Sequence, residues 1–132
     1  YYISRSKDPF LRERSFFFPY RIDPEKLQQA ASIVMEYQDF TSFSKRNTQA
    51  KNFICHIAES SWTWKDAYFI YHVRANRFLR GMVRGLTATM LRVGRDKISL
   101  KEFRGIIEAK DCTKASFAVP PDGLFLVSVR YI

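Results

Sequence analysis

Arg77, Arg80 and Arg84 recur at three- and four-residue spacing in Ala75-Asn76-Arg77-Phe78-Leu79-Arg80-Gly81-Met82-Val83-Arg84. Guanidinium groups in such a row are suited to gripping phosphates or to holding a carboxylate ionised and oriented. At about 100° per residue, a helix over residues 77–93 gathers Arg77, Arg80, Arg84 and Arg92 within about a third of its circumference. Leu79, Met82, Val83, Leu86, Met90 and Val93 then fall on the opposite, core-facing side. Gly81 and Gly85 lie among the arginines, and glycine inside a helix costs about 1 kcal/mol relative to alanine. Two such costs point to a close approach, and so to a cleft. A solvated charged face is the plainer alternative.

The chain around this segment has 132 residues, enough for one domain with its own core. Its 22 Lys and Arg against 13 Asp and Glu leave a net charge of +9, which favours a polyanion, with nucleic acid as the leading class. Aromatic residues make up 16% of the chain; beside cations they suit splayed-out bases, although most can equally be core. Cys55 and Cys112 lack the close spacing of a metal or redox motif, which fits a reduced, cytoplasmic setting. His56 and His72 stand alone in strand-like segments, so no metal site is expected. There is no apolar run of membrane-spanning length and no leader. The sequence opens on Tyr1 within a strand-like stretch, as a fragment of a longer protein would.

Strands are expected at residues 1–6, 52–59, 66–74 and 124–131, with an extended aromatic segment at 12–20. Residues 60–65, Ser-Ser-Trp-Thr-Trp-Lys, read as a hairpin connection. The 66–74 strand is apolar on nearly both faces, so a central position covered on two sides follows. Asp23-Pro24 opens a helix to about Tyr37, the arginine helix ends at Gly94, and a capping box at Ser99 to Glu102 opens a helix to about Ala109. Residues 44–51 read as a mobile polar loop. Together these predict an α+β domain with a mixed, mainly antiparallel sheet and helices packed on one face.

Asp39-Phe40-Thr41-Ser42-Phe43, the 75–84 segment, Val93-Gly94, and Pro120-x-x-Gly-Leu-Phe-Leu ending in Val129-Arg130-Tyr131 occur in this order. In that order they resemble the C-terminal half of the tRNA pseudouridine synthase A family over nearly the whole chain. The resemblance implies half of that family's catalytic fold, with ferredoxin-like elements. It also implies an isomerase that converts uridine to pseudouridine in the anticodon arm of tRNA, as a cytoplasmic homodimer without cofactor or metal. In that family an aspartate of a Gly-Arg-Thr-Asp motif is the nucleophile. None of Asp8, Asp23, Asp39, Asp66, Asp96, Asp111 or Asp122 has that context, so the resemblance implies that residues 1–132 are a C-terminal RNA-binding and catalytic-support domain, expected to be inactive alone, with the nucleophile upstream.

Arg84 matches the family's arginine that pairs with this aspartate. Phe78, Met82 and Leu124 are implied to line the uridine pocket, with plain core packing as the alternative for each. Tyr1 aligns with the second tyrosine of the family's Tyr-x-Tyr strand. Gly85 and Cys112 depart from the asparagine and arginine usual there, leaving Arg84 without a hydrogen-bonding neighbour and a loop without a cation. Arg77, Arg80, Lys45 and Arg46 are the candidate phosphate contacts. A non-catalytic RNA-binding or dimerisation module of the same fold is the competing reading.

Overall fold

A computed structural model describes residues 1–4, 15–18, 20–45, 52–65 and 68–124. Its sheet has the order β2-β1-β4-β3, built from β1 (Tyr2–Ser4), β2 (Phe16–Phe17), β3 (Ile57–Lys65) and β4 (Tyr68–Ala75). β1 and β2 run parallel and the other pairs antiparallel, giving a mixed sheet. With its three helices the domain is α+β, as the sequence predicts. The 124–131 strand lies outside the described residues, apart from Leu124.

The hairpin differs from expectation. Residues 60–65 are strand and not a connection: Ser60 pairs with Val73 and Lys65 with Tyr68, so β3 continues to Lys65. Alternation explains it, because Ser60 and Trp62 are buried while Ser61 and Thr63 are more open, the period-2 pattern of a half-covered sheet. Of the expected 52–59 strand, the part before Ile57 contributes only an isolated bridge from Ile54 to Asp39. β4 is central, but covered on one face only. Phe69 and Tyr71 are buried, Tyr68 and Ile70 half-buried, and His72 exposed.

Helix α1 (Pro24–Val34) starts as its sequence dictates. The Asp23 carboxylate accepts the Glu25 and Lys26 amides, and Pro24 occupies the first turn, where its missing N–H is not needed. It stops three residues short of Tyr37, because the amides of Met35, Glu36 and Tyr37 each bond to the carbonyl three residues back, tightening the last turn. Helix α3 (Leu100–Ala109) carries the full reciprocal capping box of Ser99 and Glu102 and buries Phe103 and Ile107. Helix α2 (Met82–Gly94) packs against both of the other helices, with ten of its residues buried. Gly94 is its last residue rather than a left-handed cap. A β-carbon there would come 2.8 Å from Ile22 and 3.0 Å from Leu27, and the positive-φ residue of this turn is Asp96.

The core centres on Trp62. Its ring stacks on Tyr71 at 5.1 Å, its indole N–H points to the Met90 sulfur at 3.5 Å, and its amide donates to Gln28 Oε1 at 2.7 Å. One residue thus ties β3, β4, α1 and α2 together. Tyr71, wholly buried, keeps its phenol protonated well above the usual range; desolvation is the cause, partly offset by a bond to the Ser60 hydroxyl. Elsewhere, Ser42 lies in a short 3-10 turn (Thr41–Phe43) and is itself fully buried. Its hydroxyl donates to the Ile106 carbonyl at 2.6 Å and accepts the Asp111 amide at 3.0 Å, closing the C-terminal end of α3. Ser42→Ala is therefore expected to cost about 1–3 kcal/mol by leaving a polar backbone group unpaired. Gly105→Ala, where a β-carbon meets nothing within 4 Å, should gain up to about 1 kcal/mol. Urea unfolding of the two variants should move the midpoint in opposite directions.

Candidate functional site

The arginine segment is not one helix. Gly81 takes a left-handed conformation at φ 75° and caps α2, so Arg77, Phe78, Leu79 and Arg80 precede the helix and only Arg84 and Arg92 ride on it. The expected angular row of four arginines does not form. Nor does α2 have a cationic face opposite a core face, since Gly85, Thr87, Ala88 and Thr89 are buried as well. Gly81 is what ends the lead-in, because a left-handed residue breaks the helical path that continuous periodicity implies.

The turn that results still gathers the cations. The Lys45 amide donates to the Arg80 carbonyl at 3.0 Å, and the Lys45 side chain crosses Gly81, where a β-carbon would lie 2.9 Å from its Cγ. Arg77 donates from Nη1 to Asn52 Oδ1 at 3.1 Å. Arg80 is exposed. Lys45 is thus held by its backbone at one end of the 44–51 segment, and Ser44 beside it is buried, so this end is an anchored part of the site rather than the mobile loop expected. Arg46 lies outside the described residues.

Arg84 sits half-buried in the first turn of α2. Its Nε donates to the Val119 carbonyl at 2.9 Å. Among the described residues its four remaining N–H groups have no hydrogen-bond partner, and none of Lys45, Arg77, Arg80 and Arg84 has a carboxylate within ion-pair distance. Three carboxylates elsewhere pair with other cations, Asp96 with Lys26, Glu36 with Arg104, and Asp39 with Lys110. A strap, residues 115–124, covers this end of α2. Thr89 and Ser116 bond through the Thr89 hydroxyl, which accepts the Ser116 amide at 3.1 Å and donates to the Ser116 carbonyl at 3.3 Å.

The pocket residues expected from the sequence divide. Phe78 is 41% and Leu124 41% exposed, as faces open to a ligand would be. Met82 is fully buried in the core, with its sulfur 3.9 Å from Cys55 Sγ. Burial raises the Cys55 thiol pKa, against the pull of Arg77 and with a contribution from Asp39. Tyr1 is buried too. It pairs with Tyr71 through the Tyr71 amide at 2.8 Å, and its hydroxyl donates to the Pro120 carbonyl, so it anchors the strap. Sequence patterns gave no sign of Val119 or Phe117. Among the described residues no three His, Cys, Asp or Glu side chains gather as metal ligands would, and no helix is long and apolar enough to cross a membrane.

The fold is that of an α+β domain with a mixed sheet, in which one carbonyl-tethered arginine lies at the start of α2 near cations that have no carboxylate partner among the described residues. Residues 37–132 match the profile of the family described as tRNA pseudouridine synthase, and the chain belongs to that family. It is 44% identical over 131 residues to tRNA pseudouridine synthase A of Parabacteroides distasonis, covering 99% of this chain and 52% of that protein. The proteins of the same name from Bacteroides thetaiotaomicron and Bacteroides fragilis are 42% and 43% identical, with 99% of this chain and 50% and 52% of theirs covered. The chain spans about half the length of these curated relatives.

Two measurements probe this geometry. Gly81→Ala forces a side chain into a left-handed backbone and against Lys45, and should cost about 1–2 kcal/mol in denaturant unfolding. For Asp39, burial pushes the carboxyl up, but the Thr41 hydroxyl and amide and the Lys110 ammonium outweigh it, and the pKa falls below its ordinary 3.8. A lowered folded-state pKa contributes stability above pH 3.8 that is lost as pH falls through the folded value. Acid titration of Asp39→Asn should therefore show a shallower loss of stability in that range than the parent chain.

Proposed function

We propose that this chain is the C-terminal, RNA-binding and catalytic-support half of a cytoplasmic, homodimeric tRNA pseudouridine synthase that isomerises uridine in the anticodon arm, without cofactor or metal. The observation that carries the reading is Arg84. With Nε on the Val119 carbonyl, its free edge is the Nη1 and Nη2 pair, which meets a carboxylate end-on through two parallel N–H bonds. An aspartate supplied from the upstream half of the protein fits that edge. Opposite charge at this distance lowers the carboxyl pKa, keeping the group ionised and aimed as a nucleophile. Phe78 and Leu124 offer apolar surface for the flipped base, and Tyr1 supports the pocket from below the strap.

Lys45, Arg77 and Arg80, with Arg46, supply phosphate contacts that position the RNA while the extruded uridine is read in the pocket. The absence of a carboxylate beside the described members of this set supports that role, since unpaired surface cations meet phosphate at no cost of breaking an existing ion pair.

In the full-length protein, Arg84→Lys keeps the charge and loses the planar fork, and pseudouridine formation should fall at least about 100-fold. Activity near the parent level would overturn the role of Arg84. Arg80→Ala should lower the slope of log affinity against log salt by about one; an unchanged slope would remove Arg80 from the phosphate contacts. The isolated 132-residue chain should form no pseudouridine on unmodified tRNA, and product from it would place the nucleophile within these residues.

A further inference from the structure

We propose that Phe117 is a positioning residue for Arg84, acting through the space that Gly85 leaves open: its ring seats the strap on α2 so that the Val119 carbonyl captures the guanidinium. The inference rests on Arg84 having the role given above. A β-carbon at Gly85 would lie 2.6 Å from Phe117 Cε1 and 3.0 Å from Cδ1, closer than such atoms approach, so the ring occupies the volume where any other residue's side chain would start. Gly85 follows Arg84 directly, and Val119 lies two residues beyond Phe117 on the strap. The same short stretch of helix therefore carries both the tethered arginine and the socket that fixes the height of its tether.

The strap is fastened at three places. Thr89, one helical turn after Gly85 and on the same side of α2, bonds to Ser116 in both directions. The Val119 amide folds back onto the Phe117 carbonyl at 2.9 Å, so ring and carbonyl move as a unit. At the far end Tyr1 bonds to Pro120, and Gly123 lies so close that a β-carbon would come 2.6 Å from the Tyr1 ring and from the Tyr2 carbonyl. Between these fixed ends the seating of Phe117 sets where the Val119 oxygen stands. That oxygen occupies Arg84 Nε and so selects the end-on edge of the guanidinium for the incoming carboxylate. An asparagine after the arginine would fill the socket and exclude the ring, so Gly85 and Phe117 form a matched pair in this chain.

The test is a double-mutant cycle in the full-length protein, with kcat and KM measured on unmodified tRNA and thermal melting followed in parallel. Gly85→Ala lifts the ring and shifts the carbonyl, and should lower kcat about 10- to 100-fold with KM for tRNA within about twofold. Phe117→Leu shortens the side chain and should lower kcat less. The double variant, in which the new methyl group fills what the shorter side chain vacates, should recover kcat above both single variants. Should Gly85→Ala fail to fold, Phe117→Leu alone decides: an unchanged kcat in that variant overturns the proposal. Parent-level kcat in both folded single variants, or additive losses in the double, also overturns it. Arg84→Lys assayed alongside separates the two ideas. If it is inactive while the cycle shows no coupling, only the positioning role falls; if it is active, the role of Arg84 itself falls.

Discussion

The position of helix α2 depends on the buried contact between the Trp62 indole and the Met90 sulfur, which ties that helix to the sheet. The ring also stacks on a tyrosine of the neighbouring strand, and the backbone amide of the same residue donates to a glutamine on α1. Loss of a buried tryptophan side chain typically costs about 3–5 kcal/mol, a large share of the stability of a domain this size. All four elements thus meet at one residue, and α2 is held there through the Met90 sulfur. An arginine on its first turn is therefore held at a fixed height above the sheet.

That rigidity turns a basic segment into a site. Surface arginines ordinarily sweep a wide volume, and ordering one for binding consumes much of what the contact returns. Here Arg84 is restrained twice, by its place on an immobile helix and by the Val119 carbonyl on its Nε. The remaining guanidinium edge is presented in one orientation. Lys45, Arg77 and Arg80 lie on the turn before α2 and the segment bonded to it, where backbone bonds fix the chain while the side chains remain available. A restrained guanidinium thus sits beside less constrained cations.

The sequence exposed local grammar well and long-range geometry poorly. Asp23-Pro24 and the Ser99 to Glu102 box start helices where they should, since capping involves groups within three residues of each other. The arginine helix began too early in the sequence reading, because apolar periodicity runs unbroken through Leu79 and Met82 while a single positive φ at Gly81 breaks the helix. Trp62 and Trp64 read as a connection because serines and a threonine surround them. Pairing with β4 makes that stretch a strand, and such pairing is a property of the partner rather than of the segment.

The pattern of strands and helices was enough to indicate an α+β domain, and the order of short motifs to indicate the family and to single out Arg84. The glycines did mark close approaches, as their cost in a helix implies, but the approaching groups are the chain's own Lys45 and Phe117. The Val119 tether, the strap that carries it and the buried settings of Met82 and Tyr1 came only from the tertiary structure. Arg84 and Val119 are 35 residues apart, joined by a single bond with no periodicity or composition to announce it. Contacts of that kind depend on how whole elements pack, and packing is decided by the shapes of many side chains at once rather than by any one stretch of sequence.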